Sequence, residues 1–293
     1  MNTLKLLIVA LSATLALGAH AQGKPSPTGD KDQQLSRGRY LVEGIAACGN
    51  CHSPRDEKGA VVPGKGLSGG MVFDTPAFRA VAPNITPDAE TGIGKWTDAQ
   101  LGKAIREGIR PDGTVIGPPM PVEFLRQVSD EDLAAMIAYL RTQAPVRNAV
   151  AKSAYKMPLP PNYGPTLGKV SAPSASDAIR YGGYLVSMGH CMDCHTPQVK
   201  GQPDMSLMGS GGRSFPGPYG VSLSRNLTPH ESGLKNWTDA EIVRAVQTGV
   251  SRDGTRLKPP MAYDWYRNVS ASDMRSVVAY LRSLKPLPFA GQK

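Results

Sequence analysis

Apolar residues recur at helical spacing in separate stretches of this chain, and each stretch has a counterpart further along. Leu133, Met136, Ile137 and Leu140 fall on one face of a helix that starts near Ser129, with Asp132 at its third position. A second such helix starts near Ser270, with Asp273 in the same place. Earlier helices are predicted from about Gly38 to Ala47 and from Asp177 to Met188. Between the first and last helix of each set lies another, opened by Thr97-Asp-Ala-Gln100 in one and Thr238-Asp-Ala-Glu241 in the other. Both openings read as capping boxes: a Thr oxygen accepts from a free backbone N–H, and the Gln or Glu side chain reaches back to the cap. These helices should stop at Gly108 and Gly249. No alternating run is long enough to argue for a sheet. The expected class is therefore all-α, two tandem domains of about three helices each, with long loops.

The correspondence goes beyond hydrophobic pattern. Gly38-Arg-Tyr40-Leu41 precedes Cys48-Gly-Asn-Cys51-His52, and Gly182-Gly-Tyr184-Leu185 precedes Cys191-Met-Asp-Cys194-His195. Asn84-Ile-Thr-Pro87 matches Asn226-Leu-Thr-Pro229, Trp96-Thr-Asp matches Trp237-Thr-Asp, and Pro118-Pro-Met120 matches Pro259-Pro-Met261. The offset drifts only from 144 to 141, so the chain is one unit written twice. The domains are placed at residues 34–142 and 176–285. The intervening residues 143–175 are Pro-rich and lack Asp and Glu, which predicts an extended connector and two separate cores. Much of each domain is Gly- and Pro-rich loop, as at 64–70 and 209–220. The resulting shortage of bulky apolar residues suits a chain wrapped around a large apolar cofactor.

Residues 1–21 read as a cleavable signal peptide: Lys5, an apolar run from Leu6 to Leu17, and the small-residue site Ala19-His20-Ala21. That run is too short to span a bilayer. The expected location is periplasmic, on or near the outer face of the inner membrane. The formal charge is +9, and cleavage after Ala21 leaves it near +8. A basic surface fits an acidic partner or peripheral attachment to an anionic membrane face. Export argues against nucleic acid.

Cys-x-x-Cys-His is the attachment motif for c-type haem. Two thiols must reach two vinyl groups on one porphyrin edge, and the next residue must place an imidazole under the iron. Two such motifs at matching points of a repeat predict two covalent haems, held by Cys48, Cys51 and His52 and by Cys191, Cys194 and His195. A redox-active Cys-x-x-Cys lacks its usual βαβ setting here. A shared Cys₄ zinc site would leave both histidines unexplained. Structural disulfides of this spacing would be tight and reactive. Met120 and Met261 are the candidate second axial ligands, because the prolines before each stiffen a loop that can present a thioether. Met71, Met205 and Met208 are rivals without a counterpart in the other repeat. Five histidines are present. His20 leaves with the leader, and only His190, beside Cys191, and His230, in a loop, are spare. His/Met ligation at both irons is the simplest assignment, and it leaves no open position for substrate. Trp96 and Trp237 read either as haem-edge packing with an indole N–H to a propionate, or as hydrophobic staples. Asn84 and Asn226 either bond propionates or shape a turn.

With these residues in view, the chain resembles the membrane-associated cytochrome c subunits of bacterial alcohol, gluconate and aldehyde dehydrogenases, and related diheme cytochromes c. Gly-x-Tyr-Leu before each motif, Asn84-Ile-Thr-Pro-Asp88, Thr91-Gly-Ile-Gly-Lys-Trp96, Pro119-Met120-Pro121 and Ser129 through Arg141 carry the likeness. The resemblance implies tandem class I cytochrome c domains, His52 and His195 as proximal ligands, and Met120 and Met261 as distal ones. It further implies an electron carrier rather than an enzyme. Electrons would pass from a dehydrogenase toward an oxidase or a quinone-linked or cytochrome acceptor of the respiratory chain. Two departures stand out: the sequence holds two attachment motifs where the three-haem members carry a third domain, and His230 replaces the Asp of Asn-x-Thr-Pro-Asp. The alternative is a diheme redox enzyme, such as a peroxidase or thiosulfate-oxidising cytochrome, which needs an open iron or a special Cys or His ligand.

Overall fold

In each repeat the first helix crosses the last at a glycine. A Cβ on Gly38 would stand 1.9 Å from the carbonyl oxygen of Ala135, and one on Gly182 would stand 1.9 Å from that of Ser276. Only a residue without a side chain lets the two backbones approach this closely. The computed structural model describes residues 27–57, 59–199, 201–217 and 219–291. The signal peptide read over residues 1–21 lies outside them.

The first repeat runs through α1 (Pro27–Tyr40), a widened turn (Leu41–Ile45) broken at Gly44, and α2 (Cys48–His52). Strands β1 (Val72–Asp74) and β2 (Phe78–Val81) follow, then α3 (Asp98–Glu107), α4 (Val122–Leu125) and α5 (Asp130–Arg141). The connector contributes β3 (Ala154–Tyr155). The second repeat has α6 (Ala178–Met188), α7 (Cys191–His195), β4 (Gln198–Val199), β5 (Gln202–Pro203), β6 (Ser214–Gly217) and β7 (Gly220–Leu223). It closes with α8 (Asp239–Thr248), α9 (Tyr263–Tyr266) and α10 (Ala271–Ser283).

Both capping boxes are formed. Thr97 N donates to Gln100 Oε1 at 2.8 Å and Thr97 Oγ1 accepts from Gln100 N at 3.2 Å, with Thr238 and Glu241 repeating the pattern. Gly108 and Gly249 end those helices at φ +66° and +68°.

Two expectations need correction. The chain is helix-rich but carries short antiparallel sheets, so a strictly all-α description is too narrow. β1, β2 and β3 form one sheet in that order, and β4–β5 and β6–β7 form hairpins. Strands of two to four residues are too short to show an alternating pattern. The second correction concerns the core. Leu41, Val42, Ile45 and Met136 of the first repeat and Leu185, Met188, Met274 and Val277 of the second belong to one continuous buried cluster.

The repeats grip each other reciprocally. Tyr40 Oη accepts from Ser270 N and donates to Asp273 Oδ2 at 2.7 Å. Tyr184 Oη accepts from Ser129 N and donates to Asp132 Oδ2, also at 2.7 Å. Each first helix thus supplies a phenol to the capped start of the other repeat's last helix. The connector lies along the first repeat: β3 pairs with β2, Tyr155 Oη donates to Pro118 O at 3.0 Å, and Tyr163 Oη donates to Ile116 O at 2.7 Å.

Candidate functional site

Each Cys-x-x-Cys-His forms a single short helix entered through a left-handed residue. Ala47 precedes α2 at φ +47° and His190 precedes α7 at φ +43°. The kink separates the motif from the long helix before it. Helical spacing then puts both cysteines of a motif on one face, with histidine following the second.

No two of the four cysteines are joined in a disulfide. Burial pushes Cys48 and Cys191 up to about 12 and Cys51 to about 11. Cys194 is pushed to about 12 by burial first, then by Asp193, with a smaller contribution from Cys51 across the repeat boundary. A redox-active pair needs a thiol whose pKa is depressed, so these cysteines have the wrong electrostatics for it. Among the described residues no three His, Cys, Asp or Glu side chains converge as metal ligands, which removes the shared Cys₄ site.

Each motif histidine is held by a backbone carbonyl. His52 Nδ1 lies 2.9 Å from Pro83 O, and His195 Nδ1 lies 2.7 Å from Arg225 O. A carbonyl can only accept, so Nδ1 carries the proton and Nε2 keeps its lone pair for a metal. Burial lowers the pKa of both rings and keeps them neutral, the state a ligand requires. These carbonyls carry no sequence signal, because a backbone acceptor has no residue-type signature. The loop after each motif is tied back similarly, with Gly69 N to His52 O at 2.7 Å and Gly211 N to His195 O at 2.8 Å.

In the second repeat Cys191, Cys194 and His195 open onto a cavity of about 870 Å³, with Met261, Trp237, Asn226 and His190 also on its walls. Most of the remaining wall is apolar, including Leu234, Ile242, Val277 and Leu281. This is the upper end of the range for small-molecule sites, roughly 300–1,000 Å³. A cavity with two thiols and a neutral imidazole on its wall, and a thioether also lining it, fits an iron porphyrin. The first repeat carries the same donor set. Met120 is partly buried and, like Trp96, packs against the core.

Asn84 and Asn226 are buried with their hydrogen-bonding capacity engaged. Asn84 Nδ2 donates to Thr91 Oγ1 and Val146 O, while Oδ1 accepts from Thr86 N and Oγ1. Asn226 makes the same four bonds to Ser232, Leu287 and Thr228. Both shape the turn, and no amide hydrogen is left over for a propionate. His230 bonds within its own loop, its Nδ1 accepting from Ser232 N at 3.1 Å.

The cytochrome c family model matches residues 35–144 and 179–285. The chain is 30% identical over 288 residues to the fructose dehydrogenase cytochrome subunit of Gluconobacter japonicus, covering 92% of this chain and 56% of the relative. It is 28% identical over 302 residues to the gluconate 2-dehydrogenase cytochrome c subunit of Pantoea cypripedii, covering 96% of this chain and 65% of the relative. It therefore spans less than two thirds of the length of either dehydrogenase relative. It is 31% identical over 294 residues to a diheme cytochrome c-type protein of Cereibacter sphaeroides, covering 95% of each. Each stretch matched by the family model contains one complete attachment motif and one Pro-Pro-Met loop, and the chain belongs to the cytochrome c family as a protein with two covalently bound haems.

Proposed function

We propose that this protein is an exported, periplasmic electron carrier of two class I cytochrome c domains, covering residues 34–142 and 176–285. It takes electrons from a dehydrogenase and delivers them to an oxidase or to a quinone-linked or cytochrome acceptor of the respiratory chain. Names among its relatives support the donor, since two are cytochrome subunits of dehydrogenases. The observation that carries the reading is the pairing of a carbonyl-anchored His195 with Met261 on the walls of one cavity.

His52 and His195 serve as proximal ligands, and Met120 and Met261 as distal ones. Bound haem supplies a one-electron couple, and His/Met ligation raises its potential. The protein's own groups do the rest. Cysteine thiols fix the porphyrin edge, Pro83 and Arg225 carbonyls orient the imidazoles, and the apolar walls exclude water. His52 with Met120, and His195 with Met261, would hold the two haems through side chains, which would leave no position for a substrate. The basic surface suits peripheral attachment at the outer face of the inner membrane, and no helix among the described residues is long and apolar enough to cross one.

The test is the ferric spectrum of the purified protein. A methionine–iron charge-transfer band from both haems is expected. One high-spin haem with rapid peroxide turnover would overturn the carrier reading.

A further inference from the structure

The two haem sites differ in charge at corresponding positions. Val115 and Gly117 precede the first Pro-Pro-Met, where Arg256 and Lys258 precede the second. The carbonyl that holds the proximal histidine belongs to Pro83 in one repeat and to Arg225 in the other. Arg225, Arg256 and Lys258 are exposed, and all three line the second cavity. The acidic residues on that cavity are engaged locally. Glu231 accepts from Lys235 Nζ at 2.9 Å, and Asp253 Oδ1 accepts from Thr255 N and Oγ1 at 3.0 and 2.7 Å.

Accessibility differs too. The first distal loop lies under the connector. Tyr163 and Tyr155 bond the carbonyls of Ile116 and Pro118, and a Cβ on buried Gly117 would stand 2.7 Å from Leu159 and Tyr155. At the equivalent point of the second repeat Lys258 faces solvent.

We propose that the cationic rim of the second haem site is the docking face for an acidic redox-partner protein, and that exchange with that partner runs through the second repeat. This rests on the carrier reading above. Exposed cations around a cofactor edge steer an oppositely charged surface over about one Debye length, roughly 10 Å at 0.1 M salt. The exchange moves one electron per encounter to a one-electron acceptor, with no bond made or broken. A connector over the first loop leaves the second as the open edge.

The test uses the full-length diheme protein, reduced and mixed in a stopped flow with hexacyanoferrate(III), an anionic one-electron oxidant. Arg256→Glu/Lys258→Glu reverses the rim. Lys152→Glu/Lys156→Glu makes the same charge change on the connector. The expected result is a roughly tenfold slower oxidation of the rim variant at low salt, with a flattened salt dependence, and a connector variant within about twofold of the parent. Equal slowing of both variants, slowing of the connector variant alone, or no slowing of either would overturn the proposal. Arg256→Gln/Lys258→Gln should fall between parent and reversal, and an unchanged haem spectrum shows that each variant is folded. Phosphatidylglycerol vesicles provide a separate arm. Retention on vesicles lost in the rim variant, with oxidation unchanged, would make the rim a membrane face instead. A parent protein with no reversible haem couple would sink the carrier reading and this proposal with it, whereas a reversible couple with equal slowing of both variants would sink this proposal alone.

Discussion

A Cβ on Gly69 would stand 2.5 Å from the carbonyl carbon of Pro83, the group whose oxygen holds His52. Gly69 also sits at φ +78°, in the left-handed region. Gly69→Ala therefore costs about 1–3 kcal/mol in backbone strain and pushes that carbonyl off the imidazole. A weaker Nδ1–H···O bond makes the ring a poorer donor to ferric iron, so the first haem's reduction potential should rise. A redox titration checks this, with the second haem expected to stay where it is.

Met120→Ala and Met261→Ala should each change the spectrum of one haem. The methionine–iron charge-transfer band should halve in either single variant and vanish in the double. Because the repeats share one core, thermal unfolding should remain a single transition in both single variants. A band unaffected by either change would assign the distal ligand elsewhere.

Tyr40→Phe removes the acceptor of Ser270 N and the donor to Asp273, for an expected loss of about 1–3 kcal/mol. Burial pushes the Tyr40 phenol up to about 12, from the usual value near 10. The folded protein thus keeps a proton that the unfolded chain gives up over this range. Stability should fall as pH rises from about 10 through 12, and part of that slope should be missing in Tyr40→Phe. Denaturant melts at pH 9 and pH 11 measure both effects.

Asn226→Ala strips four hydrogen bonds from a buried turn and leaves Thr228 N without its partner, while Leu287 O keeps only the Thr228 hydroxyl. A loss above about 2 kcal/mol is expected by chemical denaturation. Asn226→Asp keeps the acceptor for Thr228 and should recover only part of it, because it cannot donate to Leu287 O.

What the sequence made legible is what local chemistry determines. The thiol and imidazole spacing, the Thr97 and Thr238 caps and the glycine stops are each contained within a few residues. The strands were hidden because β3 has two residues and pairs with a segment far away in sequence. The anchors of His52 and His195 were hidden because any residue, proline or arginine alike, offers a carbonyl. The connector's composition forbade a packed element of its own, yet Tyr155 and Tyr163 still fasten it to the first distal loop. Asn84 and Asn226 stand out in the sequence as paired positions. Only the folded chain shows that both amide hydrogens of each are spoken for.

Tyr40 reaching Asp273 while Tyr184 reaches Asp132 is an isologous contact, in which the same patch serves both sides. The two halves meet as the protomers of a twofold homodimer would, but on a single chain. In a true homodimer every substitution appears twice, and both cofactor edges must stay alike. Here the symmetry constrains only the residues at the contact. Away from it each half varies alone, so one edge can take Arg256 and Lys258 while the other keeps Val115 and Gly117 beneath the connector. Covalent fusion lets the two edges of the molecule differ, as those of two identical subunits could not.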